Sequence, residues 1–173
     1  MCVGTGLDNF INKYGDRFFD VGIEEEHAVA FAGGLGVSGM HPVFAVYSTF
    51  LQRTYDQIFH DVALQSSPVI FAIDRAGLVA GDGKTHQGLY DCSILSSIPG
   101  MEIYSPDSYD EMKRVFEKLF ERGVMSAVRY PRGAEQSYDR SVYLYCEDES
   151  FAASDYGDMK SGSADISVIT YGR

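Results

Sequence analysis

The sequence is poor in the features that mark disulfide-rich, membrane-spanning and nucleic-acid-binding proteins. Its three cysteines are odd in number and form no Cys-x-x-Cys pair, which argues against a disulfide framework or a thiolate zinc site and favours a reducing, cytoplasmic compartment. No apolar run approaches the ~20 residues of a membrane span, and no signal peptide is expected at the start. Only 14 basic residues oppose 25 acidic ones, so a basic surface for nucleic acid or anionic membrane is not expected.

What remains is an ordinary globular composition in a chain of 173 residues, with 45% hydrophobic and 23% charged residues. We predict one domain over residues 1–133. An acidic linker over 134–164 contains the run Glu147–Glu149. A strand pattern at 166–171 predicts that residues 165–173 open a truncated C-terminal domain.

Strand and helix patterns alternate through the first 133 residues. Such alternation predicts an α/β fold, a parallel sheet flanked by helices on both faces, whose ligands bind at the carboxyl ends of the strands. The predicted strands span residues 18–22, 42–47, 69–74, 101–104 and 127–130. The predicted helices span 24–36 and 49–65, and a third begins after a cap at Asp107 or Ser108. The first helix carries alanine or glycine at 28, 30, 32, 33, 34 and 36, and these small residues would let its backbone approach a neighbour closely.

Unusual residues follow the first two of these strands. Glu24, Glu25 and Glu26 are three adjacent carboxylates, of which at most one or two can face the interior. An inward, desolvated carboxyl suits a proton donor. All three could instead simply stabilise the positive end of the helix dipole. After the second strand, Phe50 could offer an aromatic face or belong to the core, and Arg53 suggests an anionic partner such as phosphate.

The third and last strands are followed by polar segments. Residues 74–88 form a glycine-punctuated loop that carries Asp82 and His86, a common setting for ligand contacts, although a plain surface excursion stays possible. The loop contains neither a P-loop nor a dinucleotide fingerprint. Arg129 and Arg132 could bind a phosphate or pair with the surplus carboxylates.

Six strings taken together resemble a known family. They are similar, in this order, to the central, pyrimidine-binding domain of the 1-deoxy-D-xylulose 5-phosphate synthases in the transketolase superfamily. The comparison with that domain leads us to expect that its first strand is missing here. The strings occupy residues 17–27, 47–53, 55–57, 72–77, 82–88 and 129–133.

The resemblance implies a reaction for the complete enzyme. This chain would be a fragment of that enzyme and would be inactive by itself. The family joins pyruvate and glyceraldehyde 3-phosphate with loss of carbon dioxide, for isoprenoid and thiamine biosynthesis. Its cofactors are thiamine diphosphate and magnesium, and the diphosphate and metal site lies in an N-terminal domain for which we find no match here. No metal ligand is therefore expected in this chain. A homodimer is expected, with no nucleic acid and no membrane partner.

The resemblance also implies roles for individual residues. Glu25 would share a proton with the aminopyrimidine ring, and His86 would join it as a catalytic residue. Ile23 would wedge the cofactor into a bent shape, and Phe50 would stack on its pyrimidine. The implied substrate-binding residues are Tyr47, Arg53, Arg75, Asp82, His86 and Arg132. Glu26 and Lys84 depart from the residues usual in the family.

Two other interpretations stay open. Another transketolase-type subunit, such as a 2-oxo acid dehydrogenase β chain, would share the domain, but the strings Tyr-Ser-Thr-Phe at 47–50 and Asp-Arg-Ala-Gly at 74–77 favour the synthases. A non-enzymatic acidic α/β module that binds partners would share the composition.

Overall fold

The protein is described by a computed structural model over residues 2–135 and the backbone of two later strands. The α-helices are α1 (Asp8–Tyr14), α2 (Glu25–Val37), α3 (Ser48–Leu51), α4 (Tyr55–Gln57), α5 (Asp91–Leu95) and α6 (Tyr109–Arg122). The strands are β1 (Val43–Tyr47), β2 (Ile70–Asp74), β3 (Glu102–Tyr104), β4 (Ser126–Arg129), β5 (Tyr143–Tyr145) and β6 (Gly157–Met159). Short 3-10 segments occupy Cys2–Thr5, Gly15–Arg17, Gln52–Thr54 and Ala80–Asp82, and a π-helical segment occupies Ile58–Ala63.

Four strands form one parallel sheet in the order β1-β2-β4-β3. Every residue of β2 is buried, as expected for a central strand covered on both sides. The register places Tyr47 opposite Asp74, so β1 and β2 end at the same level. The predicted parallel sheet is confirmed, and its carboxyl edge gathers the segments that follow the strands.

Helices cover both faces of this sheet because the side chains of its strands alternate in direction. Phe71 and Ile73 of β2 join a core formed with α2, the helical run over residues 48–63 and α5. Ile70 points to the other face and joins a second core with α6. The first core includes Val29, Leu51, Ile58, Val62, Leu95 and Ala127, and the second includes Val115, Leu119 and Val128. The predicted two-sided arrangement is therefore confirmed.

Small residues let α2 approach its neighbour closely, as the sequence predicted. A Cβ atom at Gly33 would lie 2.6 Å from the carbonyl oxygen of Asp61 in the π-helical segment. The hydroxyl of Ser67 donates to the carbonyl of Gly33 at 2.9 Å. A larger residue at position 33 would push the two backbones apart.

The predicted helix over 49–65 is a continuous helical run from Ser48 to Ala63 that changes type along its length. The predicted cap of α6 is confirmed at Ser108, whose hydroxyl accepts a hydrogen bond from the amide of Glu111 at 3.3 Å. The helix ends at Gly123, where a positive φ of 58° suits glycine.

The predicted first strand over residues 18–22 is wrong. The segment has no strand partner among the described residues, and the sheet begins at β1. The side chain of Phe19 instead packs edge-on against Phe31 of α2, and the carboxylate of Asp20 accepts from the amide of Gly22. This local turn, with φ +75° at Gly22, delivers the chain into α2.

Two antiparallel strands, β5 and β6, lie within the predicted linker over 134–164, and the sequence patterns did not predict them. The predicted strand at 166–171 lies outside the described residues. Within the described part of the chain, no helix is long and apolar enough to cross a membrane.

Candidate active site

The candidate site lies at the carboxyl edge of the sheet, where β1 ends at Tyr47 and β2 ends at Asp74. The start of α2 and the loop over residues 75–88 approach the same edge, since Arg53 reaches Glu25 and Thr49 reaches Thr85. The site therefore collects side chains from four separate parts of the sequence.

Glu25 is the first residue of α2 and is 4% exposed. Its Oε2 accepts a hydrogen bond from Nη1 of Arg53 at 2.9 Å. Its Oε1 is buried, and no described residue supplies it with a hydrogen-bond partner. Because an unpartnered buried acceptor costs about 1–3 kcal/mol, this oxygen is a natural contact for a ligand that carries a donor or shares a proton.

Aromatic rings pack around Phe50, a half-buried residue close to Arg53, the partner of Glu25. The Tyr47 ring stacks on Phe50 at 5.7 Å between centroids, and the His86 ring meets Phe50 edge-on at 5.3 Å. The guanidinium of Arg53 lies 5.9 Å from the centroid of Phe50. These contacts join the glutamate, the aromatic rings and the histidine into one group.

Two threonines hold His86 in place. The Thr49 hydroxyl donates to the carbonyl of Thr85 at 3.0 Å, and the Thr85 hydroxyl lies 2.8 Å from Nδ1 of His86. The hydrogen bond at Nδ1 fixes the ring orientation and leaves Nε2 for another partner.

A second group is centred on Arg75, whose φ of 59° lies in the left-handed region. Its Nε donates to Asp82 Oδ2 at 2.9 Å, and its Nη1 donates to a carboxylate oxygen of Asp74 and to the carbonyl of Gly4. The same guanidinium lies 3.7 Å from the centroid of the Tyr47 ring, which links the two groups. Arg132 pairs with the other oxygen of Asp82.

Burial and charge shift two proton affinities in this second group. Desolvation raises the pKa of Asp74, against the opposing effect of the neighbouring Arg75. Burial, followed by the charge of Asp74, raises the pKa of the Tyr130 phenol. The group therefore balances two carboxylates against two guanidinium ions in a partly dry setting.

A cavity of about 550 Å³ opens beside this second group. It is bounded by the end of β2, the residues after β4 and the start of α6. Its lining includes Arg75, Tyr130, Arg132, Ser108, Tyr109 and Met112.

A sequence profile described as "Transketolase, pyrimidine binding domain" matches residues 2–136. The chain belongs to this family. Its fold agrees, because a transketolase-type structure described as "Split gene transketolase, inactive beta4 tetramer" aligns with a TM-score of 0.66 at 22% identity, over 78% of this chain and 44% of that one. A transketolase from Campylobacter jejuni aligns at 0.63 and 18% identity, over 70% of this chain and 20% of that one.

Curated relatives of this pyrimidine-binding domain bear the name 1-deoxy-D-xylulose-5-phosphate synthase. The protein from Natranaerobius thermophilus is 57% identical over 75% of the chain, and that from Clostridium kluyveri is 52% identical over 78%. The protein from Clostridium acetobutylicum is 47% identical over the whole chain. The chain spans 21%, 22% and 27% of the length of these three relatives, respectively.

The structure of this pyrimidine-binding domain places eight of the nine predicted site residues in the two groups. Glu25, Tyr47, Phe50, Arg53 and His86 form the first group, and Arg75, Asp82 and Arg132 belong to the second. Ile23 precedes Glu25 by two residues and is 71% exposed. Their catalytic and binding roles stay predictions.

The structure decides between the two interpretations of Arg129. Its Nε donates to Asp91 Oδ2 at 2.8 Å, and both side chains are buried, so Arg129 pairs with a carboxylate of the domain. Sequence reasoning assigned no role to Asp74 or Thr49. The sequence did contain a signal for Asp74, which is the last residue of the predicted strand over 69–74 and so lies at the edge where ligands bind.

Proposed function

We propose that this chain is the pyrimidine-binding domain of an enzyme that condenses pyruvate and glyceraldehyde 3-phosphate to 1-deoxy-D-xylulose 5-phosphate, with loss of carbon dioxide. The names of its relatives, at 47–57% identity, support this reaction. They give no support to the two alternatives, a 2-oxo acid dehydrogenase β chain or a non-enzymatic binding module. Thiamine diphosphate, when bound, supplies the nucleophile and the electron sink for the reaction.

The buried carboxylate of Glu25 is the observation that carries this proposal. Arg53 binds Oε2, and Oε1 stays buried without a partner among the described residues, so Oε1 is free to meet a ligand. An aminopyrimidine fits this environment, because its ring nitrogen can share a proton with Oε1 and its flat face can lie against Phe50. In this proposal Glu25 would hold that proton and Ile23 would contact the cofactor.

The second group and its cavity suit the substrates. Arg75 and Arg132 line the cavity of about 550 Å³, and guanidinium groups match the geometry of phosphate and carboxylate. Glyceraldehyde 3-phosphate carries a phosphate dianion, and pyruvate carries a carboxylate. We propose that Tyr47, Arg53, Asp82 and His86 complete the substrate site, with His86 exchanging protons at the reacting oxygen.

The remaining parts of the proposal concern the larger assembly. Magnesium and the diphosphate of the cofactor would be held by another domain of the complete enzyme, and two copies would form the working dimer. The cytoplasm is the compartment we propose, on the strength of the odd cysteine count.

A pair of neighbouring carboxylates tests the proposal. In the complete enzyme, Glu25→Gln should lower turnover by orders of magnitude, because the residue loses its exchangeable proton while keeping its shape. Glu24→Gln, on the exposed residue that precedes α2, is the matched control and should cost far less. Steady-state rates with both substrates saturating measure the difference. Equal losses at the two positions would show that Glu25 does not have this role.

A further inference from the structure

The loop over residues 75–88 carries Asp82 and His86, yet its middle contains only one short 3-10 segment, Ala80–Asp82. Its two ends are closed by a pair of backbone hydrogen bonds between Gly77 and Gly88, at 2.7 and 2.8 Å. Closing the ends of a loop does not by itself fix the residues between them. Something else must hold the turn that presents Asp82 and His86.

The side-chain amide of Gln87 holds that turn through three hydrogen bonds. Its Oε1 accepts from the amide of Val79 at 2.8 Å. Its Nε2 donates to the carbonyl of Val79 at 2.9 Å and to the carbonyl of Gly83 at 2.7 Å. One planar amide thus pairs with both backbone groups of Val79, as a neighbouring strand would, and reaches across to Gly83.

The two carbonyls that Gln87 holds are the ones that set the backbone of both functional residues. The carbonyl of Val79 also accepts from the amide of Asp82 at 3.2 Å, and the carbonyl of Gly83 also accepts from the amide of His86 at 3.4 Å. The first distance is at the upper end of the usual range and the second is beyond it, so the three shorter bonds from Gln87 add support that these backbone bonds alone supply weakly.

The base of the loop leaves Gln87 little freedom to move away. A Cβ atom at Gly88 would lie 2.1 Å from the carbonyl oxygen of Arg75 and 2.9 Å from Cβ of Ser48, so the backbone after Gln87 packs directly on the start of the loop and on α3. Val79 is 4% exposed and anchors the opposite side of the turn. Gln87 therefore spans two fixed points.

We propose that Gln87 is a positioning residue, which holds Asp82 between Arg75 and Arg132 and holds His86 against Phe50. The proposal extends the function proposed above, since it concerns the same site. Gln87 acts through the backbone of the loop and touches neither of the two side chains' functional atoms in the bonds described.

Amide hydrogen exchange on this chain tests, without any enzymatic assay, whether the Gln87 side chain holds the loop. Gln87→Ala should lower the protection of the Val79 and Asp82 amides by about tenfold or more, the effect of losing hydrogen bonds worth ~1.5 kcal/mol. Gln87→Glu keeps an acceptor for the Val79 amide but cannot donate to the two carbonyls. It should keep Val79 protected and expose Asp82. Gln65→Ala, at an exposed position on the opposite edge of the sheet, is the control.

Kinetics in the complete enzyme test whether the Gln87 hydrogen bonds matter for the reaction. Gln87→Ala should lower kcat/KM for glyceraldehyde 3-phosphate about tenfold and leave the dissociation constant of thiamine diphosphate unchanged, because Glu25 keeps its bond to Arg53 and Phe50 keeps its stack on Tyr47. Wild-type protection of Val79 in Gln87→Ala would overturn the proposal, and so would an acceptor kcat/KM equal to that of Gln65→Ala. If the wild-type enzyme does not convert these substrates, the proposed function fails, and the exchange data still decide whether Gln87 holds the loop.

Discussion

At the scale of single residues, the site shows how position makes three identical side chains different. Glu24, Glu25 and Glu26 share one chemistry, but α2 begins at Glu25 and turns only that side chain fully inward, to 4% exposure. Arg53 then binds one of its two oxygens and leaves the other unpartnered among the described residues. The proposed proton relay therefore depends on where the helix starts as much as on the presence of a carboxylate.

Arg132 provides a prediction at this scale. The side chain is half-exposed and contacts only one oxygen of Asp82 in the ion pair described, so a substrate can reach it. In the complete enzyme, Arg132→Ala should raise the KM for glyceraldehyde 3-phosphate about ten- to a hundredfold, the equivalent of ~1.5–3 kcal/mol for a charge-assisted contact. The KM for pyruvate, which has no phosphate, should change much less.

Steady-state kinetics with each substrate varied at saturating thiamine diphosphate measures both constants. Arg114→Ala, which removes an exposed cation from α6, is the control for a change in net charge. An equal rise in the pyruvate constant, or rescue by excess cofactor, would place Arg132 elsewhere in the site.

Much of this residue-scale arrangement was predictable, because parallel strands bring their carboxyl ends to one edge. That rule, with the family resemblance, pointed to Tyr47, Arg75 and Asp82. It could not find Gln87, because its amide bonds to backbone groups across a loop, and no periodicity in the sequence records such a contact. It also could not decide whether Arg129 binds a ligand or Asp91.

At the scale of elements, α2 and the π-helical segment can pack closely because Gly33 has no side chain where they meet. Hydrophobic periodicity located four of the five predicted strands, and the small residues of α2 predicted its close packing. The pattern at 18–22 gave a wrong strand prediction, because a short apolar and aromatic run has the same sequence whether it pairs with a strand or packs on a helix. Phe19 packs on Phe31 of α2.

Two adjacent glycines in α2 make this packing testable. A Cβ at Gly33 would lie 2.6 Å from the backbone oxygen of Asp61, which cannot swing away, so Gly33→Ala should lower the free energy of unfolding by ~1–3 kcal/mol. Gly34 faces open space in the same helix, so Gly34→Ala should instead raise it by ~0.4–1 kcal/mol. Urea unfolding at an unchanged slope measures both values. Destabilisation of similar size at both positions would show that close packing is not the cause.

At the scale of the whole molecule, the described residues form a four-stranded parallel sheet but supply only part of the proposed chemistry. The described residues contain a carboxylate, an aromatic face and a group of arginines and aspartates at one edge. Within residues 2–135, no cluster of three or more histidine, cysteine or acidic side chains could hold a metal ion. The fold class and the two-sided packing followed from the alternation of elements, whereas the strands β5 and β6 did not, because the acidic stretch that contains them has no clear periodicity.

This division of the chemistry leads to a prediction about the chain by itself. The diphosphate carries most of the charge of thiamine diphosphate, and charge-assisted contacts together with magnesium supply most of the binding energy for such groups. Among the described residues, the proposed contacts to the cofactor are Glu25, Phe50 and Ile23, and none of them carries a positive charge for the diphosphate. We therefore expect no synthase activity and at best weak binding. Titration calorimetry of the 173-residue chain with thiamine diphosphate and magnesium measures the affinity, and the synthase from Clostridium acetobutylicum serves as the positive control. Any weak binding should fall further in Glu25→Gln. A dissociation constant of about 1 μM or tighter, near −8 kcal/mol, would mean that the diphosphate has a partner within this chain.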